Sequence, residues 1–463
     1  MQSIKSIPSP KGHWFFGHIA DFNEKARHKL NESRINEIGD TFRIRLVHKP
    51  FIVTANQEII NQVLSLRPHA FRRFNKIDMV MSELGVDGVF NAEGAEWKRH
   101  RRAVSESLSF KKIYGFYPRI IDKSNRIIER WKVLEKAGES LDFLSEIRSY
   151  TLELTCSLIF GYEMNLIHGK ADELQEHLDR ILPMVNKRIG AAFPKWRYFP
   201  SEEDKAFDAS FKYLETLVLR FIKDARQRLE NDPNLRSRPT NFLESLLVEQ
   251  EADRFSDKEI YGNIFTMLLA GEDTTANSLS WCLYFLAQHP DMVQRISKEV
   301  DSIFGHGPIQ ADPDKINKLK FTKACVEETT RMKSVAPILY FEALEDVVVG
   351  DFKIKKGDSL MLQTAINQNR DTNFSEASSF MPYRWLKGEC PMGYQHNPDQ
   401  VRTFGYGPRF CPGKNLAYAE MVVLLGNICR SFDLELTVSA NEVEEVLAFT
   451  MHPSNLYMKL KNK

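Results

Sequence analysis

The chain has 463 residues, with 63 Lys and Arg against 62 Asp and Glu, a formal net charge of +1. Such a balance generates no global field, which excludes attraction of nucleic acid or an anionic membrane through bulk charge. Six cysteines spread over this length, with no Cys-x-x-Cys pair, exclude a disulfide-stapled secreted scaffold and a zinc knuckle, and point to reduced, intracellular thiols.

The first ten residues, from Met1 to Pro10, contain no apolar signal core, and no apolar run approaches the roughly 18 residues that span a bilayer. A soluble, cytoplasmic protein without a membrane anchor is expected. No linker, repeat or low-complexity tract divides the chain, so residues 1–463 are expected to form one domain. Its class is mainly α with a minor mixed β region, the β-rich part lying at about 36–60 and 340–365.

In chain order, Thr41–Leu46 alternates and Phe51–Thr54 is β-rich, with Lys49-Pro50 between them, which predicts a hairpin. Gly85-Val86-Asp87-Gly88-Val89-Phe90 precedes the Trp97 element, and Phe90 on its own reads as an ordinary core ring. Trp97-Lys98-Arg99-His100-Arg101-Arg102 is a basic run whose default reading is a solvated helix face, although Trp97 and Arg101 are i, i+4 neighbours. Helical periods cover about 129–160, 202–229 and 258–288. The polar stretch 231–239 reads as an exposed loop.

Ser256-Asp257-Lys258-Glu259 has the form of a capping box, and the helix it opens runs some thirty residues to His289-Pro290. Its middle reads Ala270-Gly271-Glu272-Asp273-Thr274-Thr275. Small residues admit a flat group to the backbone, a threonine can bond the carbonyl one turn back, and a carboxylate can relay protons; a kinked structural helix reads the same way. Glu328 and Arg331 stand at i, i+3 and locally look like a surface pair. Val347–Ile354 is β-rich, and Phe380-Met381-Pro382-Tyr383-Arg384-Trp385 sets another arginine in a proline-containing loop.

Cys411 lies in Phe404-Gly405-Tyr406-Gly407-Pro408-Arg409-Phe410-Cys411-Pro412-Gly413, directly before a helical stretch from Lys414. Backbone N–H groups and the positive end of a helix aimed at sulfur are expected to lower the thiol pKa and suit the anion to a soft metal. A nucleotide-binding reading of 407–414 fails, because five residues separate Gly407 from Gly413 and Asn415 stands where Ser or Thr is required. A last β signal follows at 432–436.

The spacing Phe404-x-x-Gly407-x-Arg409-x-Cys411-x-Gly413 closely resembles the haem-ligand loop of the cytochrome P-450 family. The Trp97/Arg101 element, the acid–alcohol helix, the Glu328-x-x-Arg331 helix and the Phe380-x-Pro382-x-Arg384 segment resemble further family elements and fall in the family's order. The resemblance implies haem b with Cys411 as axial iron ligand. It implies that Phe404, Gly405 and Gly413 shape the ligand loop and that Arg409, Trp97 and Arg101 bind propionates. Ala270 and Gly271 would border the haem, Asp273 and Thr274 would deliver protons, and Phe90 would face substrate. Glu328, Arg331 and Arg384 would form a buried structural network. One departure stands out: most members carry a propionate-binding arginine after the equivalent of Pro337, whereas this chain reads Ile338-Leu339-Tyr340-Phe341-Glu342.

The activity so implied is hydroxylation of an apolar small molecule by O2, with a fatty acid favoured over a steroid or terpenoid. The resemblance further implies a monomeric, soluble, bacterial-type member. Because the chain ends at Lys463, without a fused reductase, electrons are expected from a separate ferredoxin or flavodoxin with its reductase. Rival readings are a peroxygenase or fatty-acid-hydroperoxide-rearranging enzyme, and a non-catalytic haem sensor.

Overall fold

The computed structural model of the protein describes residues 2–22, 26–47, 49–164, 166–167, 173–251 and 255–463. Helices dominate. The longest is the central helix Asp257–Ala287, opened by a complete capping box: Ser256 Oγ accepts from Glu259 N at 3.3 Å, and Glu259 Oε2 accepts from Ser256 N at 2.8 Å. Pro290 cannot continue it and instead begins the next helix, Pro290–Phe304. The central helix packs along Phe143–Phe160 and also touches Lys414–Ser431, which in turn lies on Phe110–Lys136.

The expected helical stretch 129–160 is two helices, Phe110–Lys136 and Phe143–Phe160. Gly138, at φ 71°, ends the first, and Asp142 caps the second by accepting from Ser145 N at 3.3 Å. The stretch 231–239 is not wholly loop: the preceding helix Glu202–Asn231 reaches its first residue, and Asn234–Ser237 forms one further turn.

Five strands form the main sheet, in the order Thr41–Leu46, Lys49–Thr54, Ser359–Gln363, Ile338–Ala343, Phe71–Arg73. The hairpin is tighter than its sequence suggested, since Lys49 and Pro50 belong to the second strand and pair with Leu46 and Arg45. Phe71–Arg73 is too short to announce itself by alternation. It runs antiparallel to Ile338–Ala343 with Arg73 opposite Phe341. Smaller pairings join Val347–Val349 to Phe352–Ile354 and Phe432–Leu436 to Tyr457–Asn462. One continuous apolar cluster fills the helical body, and a second, including Ile52, Ile60, Phe71, Phe341 and Leu360, underlies the sheet.

The loop carrying Phe90 is seated on the central helix at two glycines. A Cβ on Gly88 would lie 2.5 Å from the Gly262 carbonyl oxygen, and one on Gly262 would lie 2.3 Å from the Asp87 carbonyl oxygen. Only glycine permits this approach. Asn263 Oδ1 then accepts from Val89 N at 3.0 Å.

Candidate functional site

The cysteine loop is built by its own backbone. Cys411 N–H donates to Phe404 O at 2.8 Å, and Gly405 N–H donates to Arg402 O at 2.8 Å with Gly405 at φ 77°. Gly407, at φ 70°, passes so close to Leu64 that a Cβ would meet its carbonyl oxygen at 2.6 Å. The helix Lys414–Ser431 starts directly behind the sulfur with Gly413 at its N-cap. The Phe404 ring packs 5.5 Å from Tyr418.

Burial raises the Cys411 thiol above its ordinary value, while hydrogen bonds from the Gly413 and Lys414 N–H groups and the charges of Arg101 and Lys414 pull it down. The balance is upward, opposite to the expectation from helix end and cations alone. Desolvating a thiolate costs more than these donors return.

Glu328, Arg331 and Arg384 are not a surface set: their side chains are fully buried and joined. Glu328 Oε1 accepts from Arg331 Nη2 at 2.8 Å and Arg384 Nε at 3.0 Å, and Oε2 accepts from Arg331 Nε at 2.8 Å and Trp385 Nε1 at 2.9 Å. Arg331 also donates to the carbonyls of Gln368, at 2.8 Å, and Ala377, at 2.9 Å. Gln368 Oε1 accepts from Arg402 N at 3.2 Å, and Thr403 Oγ1 donates to Thr330 O at 2.7 Å. The network therefore holds the root of the cysteine loop. Gln368, Thr403 and Trp385 were missed in the sequence, because nothing in their local pattern signals this junction.

Trp97 is buried and Arg101 half-buried on the helix Gly94–Ser107. The Arg101 guanidinium lies 4.8 Å from the Phe410 ring centroid, and that of Arg409 lies 4.7 Å from Trp97. Arg409 Nη2 donates to Ala92 O at 2.6 Å and pairs with Glu93, while its buried Nε and Nη1 have no partner. Lys98 and Arg102 are exposed, but Arg99 is not a free outward charge: it pairs with Glu259 at the start of the central helix.

On the central helix, Thr274 Oγ1 donates to Ala270 O at 2.7 Å, and both residues share an open face. Gly271 sits elsewhere. A Cβ there would meet Thr155 Oγ1 at 2.9 Å, so its smallness serves packing against the helix Phe143–Phe160. Asp273 is buried. Its Oδ1 accepts from Arg148 Nη2 at 3.3 Å, and its Oδ2 accepts from Asn277 Nδ2 at 3.2 Å and from Thr450 Oγ1. Arg148 also reaches Asp179 at 3.0 Å. Burial and the neighbouring Asp273 charge raise Glu272, which accepts from Gln175 at 3.2 Å. Phe90 is half-buried, with Phe449 6.0 Å away and the Arg73 guanidinium 3.5 Å over its ring.

The donor set fits a haem. One cysteine sulfur stands amid backbone N–H groups, and unpaired guanidinium N–H groups of Arg409, buried beside Trp97, suit a carboxylate. Cys411 would hold the iron, and Arg409, Trp97 and Arg101 the propionates.

Behind the cysteine loop, Glu420 is buried and burial pushes its carboxyl up to about 8. The folded protein thus retains a proton that the unfolded chain releases near 4.5. Stability is expected to fall by about 1.4 kcal/mol per pH unit between those values from this group alone, with no penalty below them. Thermal midpoints of the wild type and Glu420→Gln at pH 5 and pH 8 test this: the variant should lose part of the alkaline decline. Equal declines would refute it.

The profile described as Cytochrome P450 matches residues 7–460. The chain is 25% identical to the chloroplastic protein LUTEIN DEFICIENT 5 of Arabidopsis thaliana, over 89% of this chain and 70% of that protein. It is 24% identical to cytochrome P450 monooxygenase 205 of Postia placenta, over 95% and 88%. It is 25% identical to the mitochondrial sterol 26-hydroxylase of Oryctolagus cuniculus, over 79% and 70%.

Proposed function

The chain belongs to the cytochrome P450 family and is one of its monooxygenases, and from that premise we propose that it hydroxylates an apolar small molecule, a fatty acid before a steroid or terpenoid. When bound at Cys411, haem supplies the oxygen-activating chemistry. The observation that carries the reading is the intact acid–alcohol arrangement. Thr274 presents its hydroxyl on the open face of the central helix, and Asp273 is fixed behind it by Arg148, Asn277 and Thr450. Neither a sensor nor a peroxygenase would need the pair for proton delivery. The sterol 26-hydroxylase among the relatives supports the lipid class, while the sequence at 338–342 supports fatty acids.

Electrons in this reading come from a separate ferredoxin or flavodoxin and its reductase. Six unpaired cysteines support a reducing, cytoplasmic setting, and among the described residues no helix is long and apolar enough to cross a membrane. The exposed Lys98, Arg102 and Lys414 near the cysteine loop suit an acidic donor. The double reversal Lys98→Glu with Arg102→Glu is expected to slow reduction by such a donor about tenfold at low salt and less at high salt, leaving substrate affinity unchanged. Stopped-flow reduction across ionic strength checks it, and unaltered rates would remove this face from the donor site.

The reading is tested by the carbon monoxide difference spectrum of the reduced protein, followed by spin-state titrations and product analysis with fatty acids and sterols. A strongly red-shifted Soret band and a hydroxylated product dependent on O2 and reductant are expected. A band at the position of histidine-ligated haem would overturn Cys411 as ligand. Turnover with peroxide but not with O2 and reductant would favour the peroxygenase.

A further inference from the structure

The strand that lacks the family's arginine, Ile338–Ala343, is covered on its free edge by Phe71–Arg73, and the register sets Arg73 opposite Phe341. A second cation reaches the same place: the buried Arg67 guanidinium lies 4.6 Å from the Phe341 ring centroid. Arg73 Nε donates to Phe90 O at 2.6 Å, which holds its guanidinium over the Phe90 ring. Arg67, Arg73 and Arg409 are close enough to repel one another.

Among the described residues, Glu93 is the carboxylate that offsets them. It pairs with Arg409, lies 3.6 Å from Arg67 Nη2, and accepts from Arg73 backbone N at 3.2 Å. With Arg101, which also faces Arg409, four guanidinium charges against one carboxylate leave an excess of positive charge in one largely buried cluster. Arg67 Nε and Nη2 and Arg409 Nε and Nη1 are buried without a hydrogen-bond partner. Buried donors of this kind are rarely left unsatisfied in a native protein, and unbalanced buried charge is costlier still. Burial first, then repulsion from the Arg409 guanidinium, pushes Arg67 down to about 9. A bound dianion reverses that tension.

We propose that Arg67 and Arg73, together with Arg409, bind the two haem propionates and do the work that an arginine following Pro337 does in most of the family. This rests on the haem-thiolate reading of Cys411. The cluster matches the propionates in the sign of its charge and in chemistry, since guanidinium N–H groups engage carboxylates in charge-assisted bonds.

The test uses purified holoenzyme: wild type, Arg67→Leu, Arg73→Leu, the double variant, and Arg73→Leu combined with Phe341→Arg. Haem transfer to apomyoglobin and the ferric/ferrous potential are measured. Each single variant is expected to release haem about tenfold faster, and the double variant faster again. The potential should fall in each, because a cation that disfavours the ferric state is gone. Phe341→Arg should restore both quantities towards wild type. Should Arg73→Leu not fold, Arg73→Lys keeps the charge but loses the planar fork, and faster release with a near-normal potential is expected. Unchanged release and potential in variants that hold haem would overturn the clamp, because loss of a purely structural packing role would not move the potential. A wild type without the thiolate carbon monoxide band would overturn the haem reading instead.

Discussion

Glu328→Ala is expected to yield a protein that does not retain haem and that is destabilised by about 3–5 kcal/mol. The magnitude follows from what is left behind. Among the described residues, Glu328 is the one carboxylate facing the side chains of both Arg331 and Arg384, all three fully buried. Its removal strands two guanidinium groups without water and orphans Trp385 Nε1 and the Met381 N–H. Arg331 then loses the partner that aims it at Gln368 and Ala377, and Gln368 is the residue that receives Arg402 N–H at the root of the cysteine loop. Glu328→Gln keeps the shape and half of the acceptors, so it should fold better yet still hold haem poorly. Haem content after purification, together with denaturant midpoints of the two variants, checks this. Full haem occupancy in Glu328→Ala would separate the network from the loop.

That network shows why some of the site was legible in the sequence and some was not. The cysteine loop could be read because its constraints are local: glycines at 405 and 407 with positive φ, and a sulfur just before a helix. Glu328 and Arg331 look like a solvated pair from their spacing, since burial is a property of the packed chain and not of the i, i+3 interval. The Cys411 thiol misleads for the same reason. Its donors and cations can be counted from sequence, but the desolvation that outweighs them cannot. Gly271 reads as room for a flat group, although its open side meets Thr155, on a helix more than a hundred residues earlier in the chain. Two of the partners of Asp273 are equally distant, Arg148 by 125 positions and Thr450 by 177. The break at Gly138 was hidden because apolar spacing carries across it.

Asp273→Asn is expected to lower kcat by about a hundredfold while leaving haem content and substrate affinity nearly unchanged. Asn preserves the size of the side chain and can still accept from Thr450 or Asn277, so the fold should survive. What disappears is a group that can gain and lose a proton beside the threonine. Arg148 then loses one of its carboxylates and leans more on Asp179 and Glu272, which lies 4.0 Å from Arg148 Nε. Glu272 is raised by burial and by the Asp273 charge, so removing that charge eases its ionisation and shifts its part of the pH profile to lower pH. The solvent isotope effect on turnover should grow, because proton supply becomes slower than the steps around it. Thr274→Ala is expected to behave differently: the hydroxyl that bonds Ala270 O on the open face is lost while Asp273 keeps its partners. Reductant would then be consumed at a nearly normal rate, with less of it recovered as hydroxylated product. Measuring product formed per reductant consumed, and kcat in light and heavy water for both variants, distinguishes the two roles. If Asp273→Asn turned over like the wild type in both solvents, its carboxylate would be a structural tie between the central helix and Arg148, and protons would have to reach the open face by another route.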